Sequence, residues 1–92
     1  TPAKVMVLTL DNDLIFALEV ATKLREAGVK TEVFIEDEKF KKKLTYANKV
    51  GVPYVAIIGE DEIKLNKVAL KNMKTGEQEI LNVDEVIKRI KS

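Results

Sequence analysis

Two continuous runs of β-forming apolar residues constrain the fold of this chain more than any other feature. One run extends over residues 4–10 and the other over residues 54–58. A strand with one face in water alternates apolar and polar residues, whereas an unbroken apolar run is typical of a strand covered on both faces, as in a parallel sheet. Both runs are therefore predicted to be strands of a parallel sheet in an α/β domain.

Segments with helical spacing separate these strands. The apolar stripe of the first helix consists of Leu14, Ala17, Leu18, Ala21, Leu24 and Ala27. Gly28 follows it as the left-handed residue that commonly lies just past a helix end. A short β-branched strand is expected over residues 30–35, and a second helix over residues 39–50 ends at Gly51. The order strand, helix, strand, helix, strand predicts right-handed parallel crossovers.

The second half of the chain has a different pattern of polar and apolar residues. Polar and apolar residues alternate imperfectly over residues 67–73 and 78–81, and residues 74–77 carry a turn signal between them. This pattern predicts a hairpin. Asn82 and Glu85 have the spacing of a capping box at the start of a last helix. The inward face of that helix is expected to consist of Val83, Val86, Ile87 and Ile90.

Composition excludes several classes of function. The 92 residues make one domain, residues 1–92, and contain neither cysteine nor histidine, which removes thiolate metal sites and the usual general base. A net charge of +1 is too balanced for a duplex-DNA binder, and 5% aromatic residues are too few for a base-stacking platform. No apolar run approaches the roughly 18 residues of a membrane span.

Acidic residues cluster after the first and third strands, where open α/β sheets bind ligands. Asp11 and Asp13 follow the first strand, and Glu60, Asp61 and Glu62 follow the third. These carboxylates could hold Mg²⁺ in a metal-binding or signalling domain. The alternative, which capping preferences favour, is that the first group caps the following helix.

The lysines of the second helix do not by themselves indicate a binding site. Lys39, Lys42 and Lys43 share one side of the helix, which is usual for a solvated face, and residues 36–38 are acidic and partly cancel their field. The chain also lacks a glycine-rich phosphate loop and a catalytic set. No metal site and no catalytic residue is therefore assigned.

Two longer motifs add a family resemblance. Residues 42–62 contain the order Leu-x-Tyr-Ala-x-Lys-x-Gly-x-Pro-Tyr followed by Gly-Glu-Asp-Glu, and residues 67–79 contain Leu-Lys-x-Met-Lys-Thr-Gly-Glu-Gln. The chain thereby resembles the C-terminal anticodon-binding domain of class II aminoacyl-tRNA synthetases, in the histidyl-tRNA synthetase branch. The resemblance covers about residues 4–91. It implies a three-layer α/β anticodon-binding fold, with a mixed five-stranded sheet (three parallel strands, then a hairpin) and three helices.

The resemblance also implies a role. The chain would hold a tRNA anticodon loop for a cytoplasmic, homodimeric parent enzyme, whose separate catalytic domain uses ATP and Mg²⁺ to join histidine to tRNA. The fragment alone would need no cofactor, and its start at Thr1 without Met fits a piece of a longer chain. Lys39 and Glu62 match the family's base-contacting positions, and both are expected to follow the carboxyl ends of neighbouring parallel strands and so to lie near each other. Lys43, one turn on from Lys39, is expected to meet the RNA backbone. Glu62 would carry discrimination, unless it only caps a turn or pairs with Lys64.

Two departures from the family pattern bear on these expectations. The acidic residues 36–38 stand where histidyl relatives usually have a basic entry to the second helix containing Gly or Ser. Asn66 stands before the fourth strand where relatives often carry Gly, and asparagine tolerates the same left-handed turn. A synthetase-like regulatory paralogue that binds a protein stays open as a further alternative.

Overall fold

A computed structural model describes residues 2–92, and Thr1 lies outside the described part. The strands are β1 (Val5–Thr9), β2 (Thr31–Val33), β3 (Tyr54–Ile58), β4 (Val68–Asn72) and β5 (Gln78–Leu81). The helices are α1 (Leu14–Glu26), α2 (Phe40–Val50), α3 (Glu60–Leu65) and α4 (Val83–Lys91). Within residues 2–92, no helix is long and apolar enough to cross a membrane.

The strands form one sheet in the order β2-β1-β3-β4-β5. β1 lies in the middle of the parallel part and pairs with both β2 and β3. Val5 of β1 lies opposite Thr31 of β2 on one side and opposite Tyr54 of β3 on the other. β4 runs antiparallel to β3, and β5 runs antiparallel to β4. The mixed sheet expected from the sequence is confirmed.

Alternate residues of the central strands belong to two separate cores. Val5 and Val7 of β1 pack in a core shared with α1 and α4. Met6 and Leu8 point to the opposite face, where Ala47 of α2 covers them. Because both faces of β1 are buried, its sequence shows no polar alternation. The expected three-layer arrangement is confirmed.

Short polar side chains begin two of the helices as the sequence predicts. Oδ1 of Asp13 accepts from the backbone N–H of Ile15 at 3.2 Å and caps α1. At α4, Oδ1 of Asn82 accepts from the Glu85 amide at 2.9 Å, and Oε1 of Glu85 accepts from the Asn82 amide at 3.0 Å. The capping box satisfies two backbone donors that the first turn leaves unpaired.

Two expectations about helices are corrected. Residues 2–92 contain four helices rather than three, because the acidic segment after β3 forms the short helix α3. Its first turn carries three carboxylates, which stabilise the positive end of a helix. In α1, Leu18 is 48% exposed, and Val20, 2% exposed, takes its place in the core beside Ala17 and Leu24.

Candidate functional site

The carboxyl ends of the three parallel strands meet at one edge of the sheet, where ligands bind in open α/β folds. Lys39 lies at this edge at the start of α2, and Glu62 lies there in the first turn of α3. The expectation that they follow neighbouring strands is wrong, because β1 separates β2 from β3. Two strand spacings place these strand ends roughly 9–10 Å apart.

An open cleft of about 440 Å³ lies at this edge between the β1–α1 loop and the start of α2. Its lining residues are Leu10, Asn12, Asp37, Glu38, Lys39 and Lys42. Lysines, carboxylates, an amide and a half-exposed leucine thus share one concave surface. Such a lining offers both donors and acceptors rather than a uniform positive field.

Lys39 begins α2 with its backbone and leaves its side chain in solvent. The Lys39 carbonyl accepts from the amides of Lys42 and Lys43 at 3.0 and 3.2 Å, whereas its side chain makes no capping hydrogen bond. Nζ of Lys42 lies 3.7 Å from Oε2 of Glu38 in an exposed i,i+4 pair. Lys39 is therefore the cation of this cleft that is best placed to meet an anion or a base oxygen.

Lys43 occupies a different place from the one expected. It is 1% exposed, and its Nζ donates to the Thr9 carbonyl at 2.9 Å, to Thr9 Oγ1 at 3.1 Å and to Asn12 Oδ1 at 2.5 Å. It lies one turn before the fully buried Ala47, on the face of α2 that packs on the sheet. The expected contact with an RNA backbone is corrected, because the ammonium faces the protein interior.

The surroundings of Lys43 act on its charge in opposite directions. Burial lowers the pKa of the Lys43 ammonium, while the carboxylates of Asp37 and Asp11 oppose that shift. The Phe34 ring centroid lies 5.7 Å from Nζ, within the range of a cation–π contact. Three hydrogen bonds and this ring compensate for the loss of water around the ammonium.

Asn12 connects Lys43 to the next loop. Its Nδ2 donates to Oδ1 of Asp37 at 2.7 Å, while its Oδ1 accepts from Lys43. Its φ of 62° lies in the left-handed region, which asparagine enters more readily than other non-glycine residues. A continuous chain of hydrogen bonds thus runs from β1 through α2 to both loops at the cleft.

Glu62 has a structural role in the described geometry. Its Oε1 accepts from the Gly59 amide at 2.7 Å and so closes the first turn of α3. Lys64 pairs with Glu60 at 3.5 Å instead of with Glu62. A carboxylate offers about four acceptor sites on two oxygens, so this bond leaves capacity for another donor.

The two carboxylates that follow β1 accept hydrogen bonds from local backbone donors. Oδ1 of Asp11 accepts from the Asp13 amide at 3.3 Å, and Asp13 itself caps α1. Within the described chain, residues 2–92, no group of three or more His, Cys, Asp or Glu side chains converges as metal ligands do. The geometry therefore gives the metal-binding alternative no support.

Sequence reasoning missed Leu10, Asn12 and Asp37 as parts of this cleft. An asparagine directly after a buried strand is a usable signal, because asparagine is favoured at positive φ and in turns. No local pattern marks Asp37, whose partner Asn12 is 25 residues away in the chain. Loop-to-loop contacts of this kind depend on the assembled sheet.

Comparisons with known proteins agree with the fold and the motifs. The "Anticodon binding domain" family matches residues 4–92. The chain is 44% identical over 92 residues to the histidine–tRNA ligase of Clostridium tetani, covering 100% of this chain and 21% of that protein. Histidyl-tRNA synthetase from Nostoc sp. superposes with a TM-score of 0.90 at 33% identity, over 99% of this chain and 22% of that one.

A second kind of synthetase shares the same architecture. The RNA binding domain of threonyl-tRNA synthetase from Cryptosporidium parvum superposes with a TM-score of 0.90 at 25% identity, over 99% of this chain and 23% of that chain. The chain thus spans about a fifth of the length of these relatives. The resemblance to the histidyl-tRNA synthetase branch is confirmed, and the chain belongs to the anticodon-binding domain family.

Proposed function

We propose that this chain binds the anticodon loop of a histidine tRNA, as the anticodon-binding part of a histidyl-tRNA synthetase. The observation that carries this proposal is the family match over residues 4–92, together with 44% sequence identity to a histidine–tRNA ligase over all 92 residues. Lys39 and Glu62 are the residues proposed to contact the loop. Lys43 is not proposed to touch it.

The side chains at the carboxyl ends of the parallel strands have a chemistry that suits an RNA loop as the ligand. An anticodon loop presents unstacked bases, whose edges need donors and acceptors more than a strong positive field. Asp37, Glu38 and Glu62 supply acceptors for base amino and imino groups, and Lys39 supplies a donor for a phosphate or a base oxygen. Affinity would then come mainly from Lys39 and discrimination from the acceptors.

The parent protein would perform the chemistry elsewhere. We propose that a catalytic domain outside this chain, using ATP and Mg²⁺, attaches histidine to the tRNA in a cytoplasmic homodimer. This chain would only position the substrate, and the reacting groups would belong to that other domain.

A stem-loop titration tests the proposed ligand. Fluorescence anisotropy would compare a stem-loop carrying the histidine anticodon with one of scrambled loop sequence, at several salt concentrations. We expect tighter binding of the cognate loop and a log–log salt slope of roughly −0.7 for each phosphate contact that the loop makes. Equal affinity for both loops would contradict the proposal.

Two lysines on the same helix provide a matched pair of variants. Lys39→Ala removes the cation at the cleft, whereas Lys49→Ala removes an exposed cation in the last turn of α2. We expect Lys39→Ala to flatten the salt slope by about 0.7, the value for one single-strand phosphate contact. Lys49→Ala is the control and should leave affinity and slope unchanged.

A further inference from the structure

On the basis of the proposed function, we infer that Lys43 is a positioning residue for RNA recognition. From inside the domain it fixes the two loops that border the cleft, and it does so without contacting the RNA. The loops are the β1–α1 loop, held through Asn12, and the β2–α2 loop, held through Asp37.

Lys43 is anchored to a rigid strand. Its ammonium has three N–H donors, and the structure supplies three acceptors, two of them on Thr9. Thr9 is fully buried at the end of β1, which pairs on both sides. The position of Nζ is therefore defined by the sheet.

Asn12 transmits this position to the rim of the cleft. Its side-chain oxygen faces the Lys43 ammonium and its nitrogen faces the Asp37 carboxylate, so both ends of the amide are held. Donor and acceptor are complementary at each contact, which fixes the orientation of the amide. Asn12 and Asp37 both line the cleft, whereas Lys43 does not reach it.

The bond between Lys43 and Asn12 has an energetic consequence. A buried ammonium loses hydration, and an apolar side chain of similar length avoids that cost. Met at this position would lack the bond to Asn12, and it would also leave the Thr9 carbonyl and hydroxyl without this donor, so we expect the variant to be less stable as well. A loop ordered before binding spares the ligand the cost of ordering it, so the bond to Asn12 contributes to affinity through preorganisation.

Lys43→Met tests the inference because methionine matches the aliphatic part of lysine and suits a buried site. If the competent arrangement falls to about a tenth of the molecules, the dissociation constant for the cognate stem-loop rises about tenfold. The salt slope should stay at its original value, since no phosphate contact is lost. Lys39→Ala, measured in parallel, should flatten it.

A matched pair of asparagines gives a second test, in which the comparison of Asn12→Gly with Asn66→Gly does not need Lys43→Met. Asn12 and Asn66 both have positive φ, 62° and 56°, so glycine suits either backbone. Asn12→Gly breaks the chain of hydrogen bonds, and Asn66→Gly is the control outside it. We expect Asn12→Gly to weaken cognate binding about as much as Lys43→Met, with little further loss in the double variant.

Three results would overturn the inference. One is cognate affinity in folded Lys43→Met equal to that of the original chain. Another is a salt slope flattened as in Lys39→Ala, which would indicate direct phosphate contact. The third is a double variant whose loss is the product of the two single losses, since the residues would then act separately.

Amide hydrogen exchange in the free protein separates this inference from the proposed function. Lys43→Met should speed exchange in residues 10–13 and 35–39, where the held loops lie, whether or not RNA binds. Unchanged exchange there would overturn the positioning role alone. Failure of the original chain to distinguish the two stem-loops would overturn the proposed function, whereas faster exchange in Lys43→Met would still show that Lys43 holds the two loops.

Discussion

The backbone amide of Gly59 donates to Oε1 of Glu62 across 2.7 Å, so the residue proposed to read a base also closes the first turn of α3. One carboxylate therefore has two separable tasks. Its capping of α3 is measured by the free energy of unfolding. Its proposed contact with a base is measured by the ratio of cognate to scrambled stem-loop affinity.

Glu62→Gln and Glu62→Ala should separate these tasks. The glutamine side chain keeps an acceptor for the Gly59 amide, so we expect urea unfolding close to that of the original chain. Alanine removes the cap and should cost about 1 kcal/mol of stability. Both variants should lose about 1–3 kcal/mol of cognate stem-loop affinity, and much less for a scrambled loop.

An unchanged ratio of cognate to scrambled affinity in both Glu62 variants would contradict the proposed reading role. Glu60→Gln is the control, because Glu60 pairs with Lys64 on the exposed side of the same helix. That exposed pair is expected to contribute little to stability.

Gly59→Ala should destabilise the protein because of a close approach rather than backbone strain. An added Cβ would lie 2.5 Å from Cδ1 of Leu10 and 2.9 Å from Oε1 of Glu62. Both atoms end flexible side chains, so we expect a cost near 1 kcal/mol, the low end for overpacking. In urea unfolding, the added Leu10→Ala substitution should recover part of this loss. A fully additive double variant would show that Leu10 is not the obstacle.

Lys43 should give the protein a measurable alkaline signature. Burial lowers its pKa in the folded state, against the opposing carboxylates of Asp37 and Asp11. Below the ordinary lysine value of 10.5, the unfolded chain then holds more protons than the folded one, so this contribution to the free energy of unfolding rises with pH.

The measurement is the difference in the free energy of unfolding between the original chain and Lys43→Met. We expect the stability of the original chain relative to Lys43→Met to increase from about pH 8 to about pH 10. Other groups titrate alike in both proteins and cancel. A difference that is flat or falls over this range would show that the pKa of Lys43 is not lowered.

Asn66→Gly should be neutral or slightly stabilising, by a few tenths of a kcal/mol. Asn66 ends α3 in the left-handed region, with φ 56° and ψ 43°, as its place before β4 predicts. Glycine enters that region without penalty, whereas Asn66→Ala should cost about 1 kcal/mol. Thermal unfolding of the two variants checks this, and a loss above about 1 kcal/mol for glycine would mean that the asparagine side chain makes stabilising bonds.

Features with a strong local signature could be predicted from the sequence. β3 and β5 have the bounds expected, and Asn82 and Glu85 form the capping box that their spacing indicates. The hairpin of β4 and β5 follows from the imperfect alternation on either side of a turn signal, and the resemblance added the three layers. Each of these depends on a pattern within a few residues or on a long motif.

Features decided by the assembled sheet could not be predicted in the same way. Helical spacing places Lys43 on the same face of α2 as Ala47, but no local pattern shows that its ammonium has buried acceptors, because those on Thr9 are 34 residues away. α3 is too short for an apolar stripe, although the spacing of Gly59 and Glu62 is a capping signal. The separation of Lys39 from Glu62 depends on β1 being inserted between β2 and β3.

An NMR titration of the ¹⁵N-labelled chain with the histidine-anticodon stem-loop tests directly whether the proposed surface binds the anticodon loop. We predict saturable shifts confined to the carboxyl edge of the parallel strands, at Leu10, Asn12, Lys39 and Glu62. The scrambled stem-loop should shift Lys39 more than Glu62. Shifts concentrated instead on the opposite edge, around Lys30 and Pro53, or no saturable shifts at all, would contradict the account.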